Sequence, residues 1–210
     1  RYMSFERVKE LLTTREIYFS RMDKFEDNLE GISAYDITEL KTFYELLRPD
    51  MEWNSRLGDG LKEDTIRKAK WSLTEVYKRV ITTQNTHWVS CWYNSNRESM
   101  AMWNLYSKNK GIAVRFDRKL FQDQIRNSRN NQSFPDKIKY LIGGRAVYQD
   151  YPNLFSDEKG NKIKYLAFRK DESFNHEKEF RFVLVSDSAI VPELEGIKFH
   201  IQEPLENLGL

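Results

Sequence analysis

Short apolar segments typical of β-strands recur along this chain, but the stretches between them differ greatly in length and character. Seven segments have strand composition or strand alternation: residues 1–2, 16–20, 87–93, 111–117, 137–149, 179–185 and 197–202. Helical patterns and loops separate these segments without the steady strand-helix-strand rhythm of a parallel sheet. We therefore predict an α+β fold built on a mixed, mainly antiparallel split sheet.

The longest helical stretch, at about residues 36–82, is predicted to be a helical insertion within a single domain that spans residues 1–210. It is interrupted around residues 49–60, which contain two glycines. Its second helix carries an apolar stripe at spacings of three and four residues: Ile66, Ala69, Leu73, Val76 and Val80. Such a stripe indicates burial against the body of the domain, and a face for a partner is the alternative.

Charge and cysteine content argue against several classes of protein. The 34 basic and 32 acidic residues leave a net charge of only +2, so no uniform field draws the chain to nucleic acid or to a membrane. No run approaches the roughly 18 apolar residues of a membrane helix, so we expect no membrane association. The single cysteine, Cys91, cannot form an internal disulfide, which favours a cytoplasmic location and a buried apolar role for that side chain.

Because the chain begins at Arg1 rather than at Met and no terminating signal precedes Leu210, we expect further segments at both ends.

The segment NHEKEFRF combines acidic, basic and aromatic residues in an alternating pattern. On an extended strand Glu177, Glu179 and Arg181 would share one face, and Phe180 and Phe182 would share the other. A carboxylate on such a surface is able to hydrogen-bond a ribose hydroxyl and to stabilise positive charge as a glycosidic bond breaks. The alternative is a solvated strand face carrying ordinary ion pairs.

The segment ESMAMWNLYSK is predicted to be a helix with an aromatic face formed by Met102, Trp103 and Tyr106. Ser95 and Glu98, three residues apart, match a capping box that would open this helix. The aromatic face indicates core packing, or alternatively the floor of a pocket for a flat ligand ring.

Motifs for phosphate loops, dinucleotide folds and zinc proteases are absent from the sequence. The three histidines, His87, His176 and His200, lie far apart in sequence and only one cysteine is present. We therefore expect no metal site.

Several segments, taken in order, resemble a bacterial and phage family catalogued as domain of unknown function 2971. The segments that carry the resemblance are RYMSFERVKELL, EIYFS, KFEDNLEG, VSCWY, MAMWNLYSKNKGIAVRF and HEKEFRF. They match, in turn, the family's opening strand and helix, a strand ending in Ser, a Phe-Asn-Asp-Pro-Phe-Glu-like loop, a Ser-x-Cys-Phe-like strand, a Met-Trp-x-x-Tyr helix and a Glu-x-Glu-x-Arg strand. Three departures stand out: Glu26 occupies the usual Asn position of the loop, the loop lacks the Pro, and Leu105 occupies a position that is often His.

The order of these elements also resembles ADP-ribosyltransferases of the DNA-modifying toxin type. That resemblance implies an ADP-ribosyltransferase-like fold, NAD as a substrate, and a role as a toxin or defence effector against phage. It implies that Glu179 is the catalytic carboxylate and that Glu177 is its neighbour in the Glu-x-Glu pair. The residues implied to bind NAD are Arg1, Tyr2, Ser20, Phe25, Arg97, Trp103 and Tyr106.

Three functions stay open at the level of sequence. The first is an enzyme that transfers ADP-ribose from NAD to a nucleic-acid or protein acceptor. The second is a non-catalytic nucleotide-binding module of the same fold. The third is a nucleic-acid or protein interaction domain that uses the basic segment 126–131 and the helical insertion. The sequence does not indicate an oligomeric state.

Overall fold

The computed structural model describes residues 1–27, 30–32, 42, 59–107, 111–129, 138–149, 166–186 and 194–202. The α-helices in these ranges are α1 (Phe5–Thr14), α2 (Asp59–Thr86), α3 (Met100–Ser107) and α4 (Arg118–Arg129). The strands are β1 (Tyr2–Met3), β2 (Glu16–Arg21), β3 (His87–Tyr93), β4 (Ile112–Ala113), β5 (Ile138–Arg145), β6 (Val147–Gln149), β7 (Arg169–Asp171), β8 (Glu179–Ser186) and β9 (Gly196–His200). Short 3₁₀ helices cover Met22–Lys24 and Glu172–Glu177.

Five strands form the main sheet in the order β5-β8-β3-β2-β9, and every neighbouring pair is antiparallel. The sheet curls as a half-barrel. β3 pairs with β8 over its whole length, whereas β2 meets β3 only at Ser20 and Arg21 and otherwise pairs with β9. β1 and β4 form a separate antiparallel pair, and β6 and β7 form a short parallel pair. A mixed and mainly antiparallel α/β architecture, as predicted, is thereby confirmed.

The first face of the main sheet carries the larger apolar core, because alternate residues of a strand point to the same side. On β8 the side chains on this face are Phe180, Phe182 and Leu184, all of them buried. Two helices cover it with side chains spaced three or four residues apart: Val8 and Leu11 from α1, and Phe121 and Ile125 from α4. We call this side the helix-covered face.

The opposite side of the sheet combines a small apolar cluster with charged residues. Val183 and Val185 of β8 pack there with Met22 and Phe168. At the beginning of β8, however, Glu179 and Arg181 occupy the same side and are buried. We call this side the ionic face, and it carries the candidate functional site.

The apolar stripe of the helical insertion is buried on α2. Ala69 and Val76 are 2% and 1% exposed, and the other three stripe positions are half-buried. α2 contacts β2 and the 3₁₀ helix that follows β2. This packing favours burial against the body of the protein over the partner alternative. Residues 36–41 and 43–58 of the predicted insertion lie outside the described residues.

Two predicted strands have different limits in the structure. Within residues 111–117 only Ile112 and Ala113 form a strand, which pairs with β1. The segment 137–149 divides at Ala146 rather than at its two glycines, which stay within β5. The missing side chain of Gly144 leaves room for Phe168, since a Cβ there would lie 3.0 Å from the nearest ring atom.

The predicted capping box at Ser95 and Glu98 is wrong. α3 begins one residue after Ser99, whose Oγ accepts a hydrogen bond from the Met102 N–H at 3.4 Å. Ser95 Oγ instead accepts from the N–H of Arg97 at 3.1 Å and closes a turn before the helix. The helix itself, with Trp103 and Tyr106, is formed as predicted.

None of the helices in the described part of the chain combines the length and the apolar character that crossing a membrane requires.

The packing of α2 predicts a contrast between two neighbouring residues. Val76→Ala removes buried methyl groups and is expected to lower the free energy of unfolding by about 1–3 kcal/mol. Tyr77→Ala is the matched control, because Tyr77 is 65% exposed and its loss is expected to change stability by no more than about 0.5 kcal/mol. Urea denaturation followed by circular dichroism measures both. Equal effects of the two substitutions would contradict the burial of the stripe.

Candidate functional site

The candidate site is built around the turn that leads into β8. Asp171 caps the second 3₁₀ helix by accepting a hydrogen bond from the Ser173 N–H at 2.9 Å. Lys178 ends this helix, and its backbone has a left-handed conformation with a φ of 41°. The sharp change of direction brings Glu177, the last residue of the helix, close enough to Glu179 that both carboxylates contact one ammonium group. Glu177 therefore lies on a helical turn rather than on the predicted strand, yet its carboxylate reaches the same site.

Arg181 lies at the centre of the site and is 0% exposed. Its Nη1 and Nη2 donate to the two carboxylate oxygens of Glu30 at 2.9 and 3.0 Å. Its Nε donates to Glu179 Oε2 at 2.6 Å, and Nη2 approaches the same oxygen at 2.5 Å. Nη1 also donates to the carbonyl oxygen of Ala167 at 2.7 Å. These five contacts equal the number of N–H donors that a guanidinium carries, so the group is fully satisfied without water.

Lys170 of β7 is the second cation of the site. Its ammonium group forms a short hydrogen bond with Glu177 Oε2, and it lies 3.3 Å from Glu30 Oε1 and 3.4 Å from Glu179 Oε1. It also lies over the ring of Phe174, 4.6 Å from the centroid. Lys170 therefore connects all three carboxylates of the site.

We call these five residues, Glu30, Lys170, Glu177, Glu179 and Arg181, the ionic cluster. Each is less than 7% exposed. The sequence alternative of a solvated strand face with ordinary ion pairs is therefore wrong. Removing these charges from water is costly unless each is paired, which is why the contacts within the cluster are so dense.

Burial and pairing shift the pKa values of the cluster in different directions. Burial raises the pKa of Glu30, although Arg181 and Lys170 oppose that shift. Burial would also raise the pKa of Glu179, but Arg181 and Lys170 outweigh it and lower that pKa. Burial disfavours the charge of Lys170, yet Glu179 and Glu30 raise its pKa. Of these three groups, Glu30 is the one most ready to take up a proton as the pH falls.

The charges of the cluster do not cancel. Three carboxylates face two cationic groups, so the fully ionised cluster carries one excess negative charge. Among the described residues no group of His, Cys, Asp or Glu side chains is arranged to hold a metal ion. The carboxylates are bound instead to Lys170 and Arg181.

Aromatic side chains border the ionic cluster on the side of α3. Tyr106 is 47% exposed and donates its hydroxyl hydrogen bond to Glu177 Oε1 at 2.8 Å. Trp103 packs edge-on against Tyr2, with 4.8 Å between the ring centroids, and Tyr2 packs in turn against Tyr93 at 5.7 Å. Tyr93 pairs with Glu179 across β3 and β8. The aromatic face of α3 is thus joined to the cluster through Tyr106.

Tyr148 of β6 binds the backbone at the beginning of β8. Its hydroxyl oxygen accepts a hydrogen bond from the Glu179 N–H at 2.7 Å. Burial raises the pKa of Tyr148 to about 12, so this hydroxyl stays neutral at physiological pH. The backbone of Glu179 is therefore bound as well as its carboxylate.

Arg1 lies near the cluster but is not part of it. Its guanidinium donates to Ser90 Oγ at 2.9 Å and lies 5.4 Å from the centroid of the Trp92 ring. The side chains of Ser90 and Trp92 lie on the helix-covered face of the sheet, whereas the side chain of Glu179 lies on the ionic face. Burial lowers the pKa of Arg1, and the negative charge of Glu179 is among the influences that oppose this shift. The two residues are therefore coupled electrostatically across the strand.

The remaining predicted NAD-binding residues lie further from the carboxylates. Ser20 pairs with Val89, which is four residues, or about 13 Å, along β3 from the position opposite Glu179. Phe25 packs on the small apolar cluster of the ionic face. Arg97 is exposed in the turn before α3. The structure therefore brings Tyr2, Trp103, Tyr106, Glu177 and Glu179 together, and it spaces the other residues out around them.

Cys91 lies on the ionic face of β3, opposite Arg181. It packs against the small apolar cluster, and burial raises the pKa of its thiol. A thiol with a raised pKa forms little thiolate at neutral pH. This arrangement agrees with the apolar role predicted for Cys91.

Sequence reasoning missed Glu30 and Lys170 as site residues. Glu30 is the final residue of the KFEDNLE loop, and its position as the Glu of a family-like loop motif was the signal available. Lys170 had no comparable signal, because it belongs to a basic run of the kind that usually covers a solvated surface. Its burial follows from the pairing of β7 with β6, which is a long-range contact.

Comparison with known proteins agrees with part of the sequence resemblance. Residues 102–182 match the model of a family described as Protein of unknown function (DUF2971). This match extends from α3 into β8 and includes Glu177 and Glu179, and it supports the family resemblance over that part of the chain. No curated protein and no solved structure matches this chain.

The ionic cluster predicts a pH-dependent effect of removing its lysine. Lys170→Met leaves three buried carboxylates with one cation and is expected to lower the free energy of unfolding by about 3–5 kcal/mol near pH 7. The loss should shrink toward about pH 5, because the raised pKa of Glu30 lets that carboxyl take up a proton and relieve the repulsion. Lys170 itself adds nothing to this change, because its raised pKa keeps the ammonium group charged until the pH rises above 10.5.

Urea unfolding of wild type and Lys170→Met at several pH values measures this effect. Lys198→Met is the matched control, because Lys198 forms ion pairs with Glu10 and Glu16 on the surface. Its loss is expected to change stability by no more than about 1 kcal/mol. A penalty for Lys170→Met that stays constant between pH 5 and pH 7 would contradict the coupling to Glu30.

Proposed function

We propose that this chain is an ADP-ribosyltransferase-like protein that uses NAD to modify a macromolecular target. The observation that supports this most directly is the excess negative charge of the ionic cluster, next to the aromatic side chains of Trp103 and Tyr106. The nicotinamide ring of NAD is flat and positively charged. A site that combines aromatic surfaces with net negative charge suits such a ring.

The chemistry assigned to the site is glycosidic bond cleavage followed by transfer. The bond between the ribose and the nicotinamide nitrogen breaks, the electron pair leaves with nicotinamide, and positive charge develops on the ribose ring. A nearby carboxylate stabilises that charge in the transition state. A nucleophilic group of the acceptor then forms the new bond to the anomeric carbon and gives up its proton. Glu177 and Glu179 are the carboxylates that we assign to this reaction.

The binding roles in this proposal follow the positions of the side chains. Trp103 and Tyr106 provide the aromatic surface for nicotinamide, and Tyr2 supports Trp103 from behind at 4.8 Å. We assign Arg1, Ser20, Phe25 and Arg97 to the remainder of NAD. A nucleic acid or a protein is the acceptor, and modification of a vital target would make the protein a toxin or a phage-defence effector.

A specific observation favours a second function, that of a non-catalytic nucleotide-binding or interaction module. Arg181 is fully satisfied by protein groups, and Glu179 binds both cations of the cluster. A network that is already complete is able to act as a structural support for the sheet. In that case the aromatic surface would bind a nucleotide and no NAD would be consumed.

The proposal predicts that NAD binding depends on Trp103. Trp103→Ala is expected to raise the Kd for NAD about 3- to 10-fold, because an aromatic contact with a flat ring contributes about 0.5–1.5 kcal/mol. Trp71→Ala on α2 is the matched control, since Trp71 is 67% exposed and lies on a different helix, and it should leave the Kd unchanged. Isothermal titration calorimetry measures the Kd for NAD of the wild type, of Trp103→Ala and of Trp71→Ala.

Incubation of wild type with labelled NAD and a mixture of DNA, RNA and cell protein then separates the two functions. Transfer of label to one acceptor class by wild type, but not by the double variant Glu177→Gln/Glu179→Gln, supports the transferase. NAD binding without transfer or hydrolysis supports the binding module instead. If NAD is neither bound nor consumed, the proposed function is wrong. Nucleic-acid binding that weakens steeply with added salt would then favour an interaction domain.

A further inference from the structure

The two carboxylates of the Glu-x-Glu pair have very different surroundings. Glu179 Oε2 lies within 2.6 Å of two nitrogens of Arg181, and Oε1 lies 3.4 Å from the ammonium group of Lys170. Arg181 is held in turn by Glu30 and by a backbone carbonyl. A ligand that replaced the contacts of Glu179 with Arg181 would leave a buried charge unpaired.

The two oxygens of Glu177 have different partners, although the residue is only 4% exposed. Oε2 binds Lys170 within the ionic cluster. Oε1 accepts the hydroxyl hydrogen of Tyr106, whose side chain is 47% exposed. This contact is a single hydrogen bond from a neutral group at the edge of the cluster. A ligand hydroxyl is able to take the place of the Tyr106 hydroxyl without breaking any ion pair.

We infer that Glu177, rather than Glu179, is the carboxylate presented to the ligand, and that Tyr106 covers it until a ligand hydroxyl replaces the phenol. This inference rests on the proposed function and reverses the order of roles that the family resemblance implies. The ligand group that fits is a ribose hydroxyl, because it donates the same O–H···O hydrogen bond to Glu177 Oε1. Glu179 becomes a positioning residue that keeps Arg181 and Lys170 in place behind Glu177.

The first test does not depend on NAD. A carbodiimide with a neutral amine labels accessible carboxyl groups, and tandem mass spectrometry distinguishes Glu177 from Glu179. Tyr106→Ala removes the cover and is expected to increase the labelling of Glu177 several-fold while Glu179 stays as slow as in wild type. Leu105→Ala is the matched control, because Leu105 is 55% exposed on the same helix and has no place in the site.

Two outcomes of the labelling experiment would overturn the inference. One is that Glu179 labels as fast as Glu177 in Tyr106→Ala. The other is that Tyr106→Ala labels no faster at Glu177 than Leu105→Ala does. Thermal unfolding of each variant verifies that the protein is folded during labelling. A change confined to Glu177 supports the inference.

The second test separates catalytic loss from loss of stability. Glu177→Gln is expected to lower the rate of NAD consumption about 100-fold or more. Its melting temperature should fall less than that of Glu179→Gln, because Glu177 pairs with one cation and Glu179 pairs with two. Glu179→Gln is expected to lower the melting temperature by about 5–10 °C, because it weakens buried ion pairs. Below its own melting transition it should lose less of its activity than Glu177→Gln loses at the same temperature. Arg181→Lys should follow Glu179→Gln rather than Glu177→Gln.

The outcomes distinguish this inference from the proposed function. Loss of turnover in folded Glu179→Gln, with turnover kept in Glu177→Gln, would overturn the inference while the proposed function stands. A wild-type protein that consumes no NAD would overturn the proposed function. The carboxyl labelling alone then decides whether removal of the Tyr106 side chain makes Glu177, rather than Glu179, accessible to a reagent.

Discussion

The arrangement of the ionic face depends on one buried guanidinium. Arg181 points from β8 into a space where an antiparallel sheet ordinarily packs apolar side chains, and it is 0% exposed there. Its contacts hold Glu30 from the loop after β2, the backbone at Ala167, and Glu179 on its own strand. An unpaired charge at this depth would be strongly destabilising. The guanidinium therefore requires segments that lie far apart in sequence to close over the sheet.

Local patterns in the sequence predicted much of the fold, because strand alternation and helical spacing reflect short-range geometry. The strands around His87 and Glu179 and the buried stripe on α2 are found as expected. The cluster was harder to predict, since Glu30 and Arg181 are separated by 151 residues. No spacing rule links residues at that distance, and an alternating Glu and Arg pattern has the same appearance on a solvated strand. The difference lies in what covers the face, which only the tertiary structure determines.

The ionic cluster also limits how the site is able to change during function. Buried ion pairs with complete partners resist displacement, so a ligand gains access most easily where the network ends in a neutral, exposed group. That point is the contact between Tyr106 and Glu177. The resemblance to ADP-ribosyltransferases implies a role for the second glutamate of the pair, whereas the contacts favour the first as the one that meets a ligand. Lys178, with its left-handed backbone, creates the difference, because it turns Glu177 out of the strand that carries Glu179.

The position of the carboxylates on β8 depends on the apolar side chains on the opposite face of the same strand. Phe180 and Phe182 alternate with Glu179 and Arg181, and both phenylalanines pack in the core beneath α1 and α4. A shift of β8 by one residue would exchange the two faces, which would place the charges in the apolar core and the aromatic rings among the residues of the ionic face. The apolar core therefore fixes the register of β8, and that register determines where the carboxylates lie. Substitutions in the helix-covered face should consequently affect ligand contacts at Glu177 even though they touch no residue of the ionic cluster.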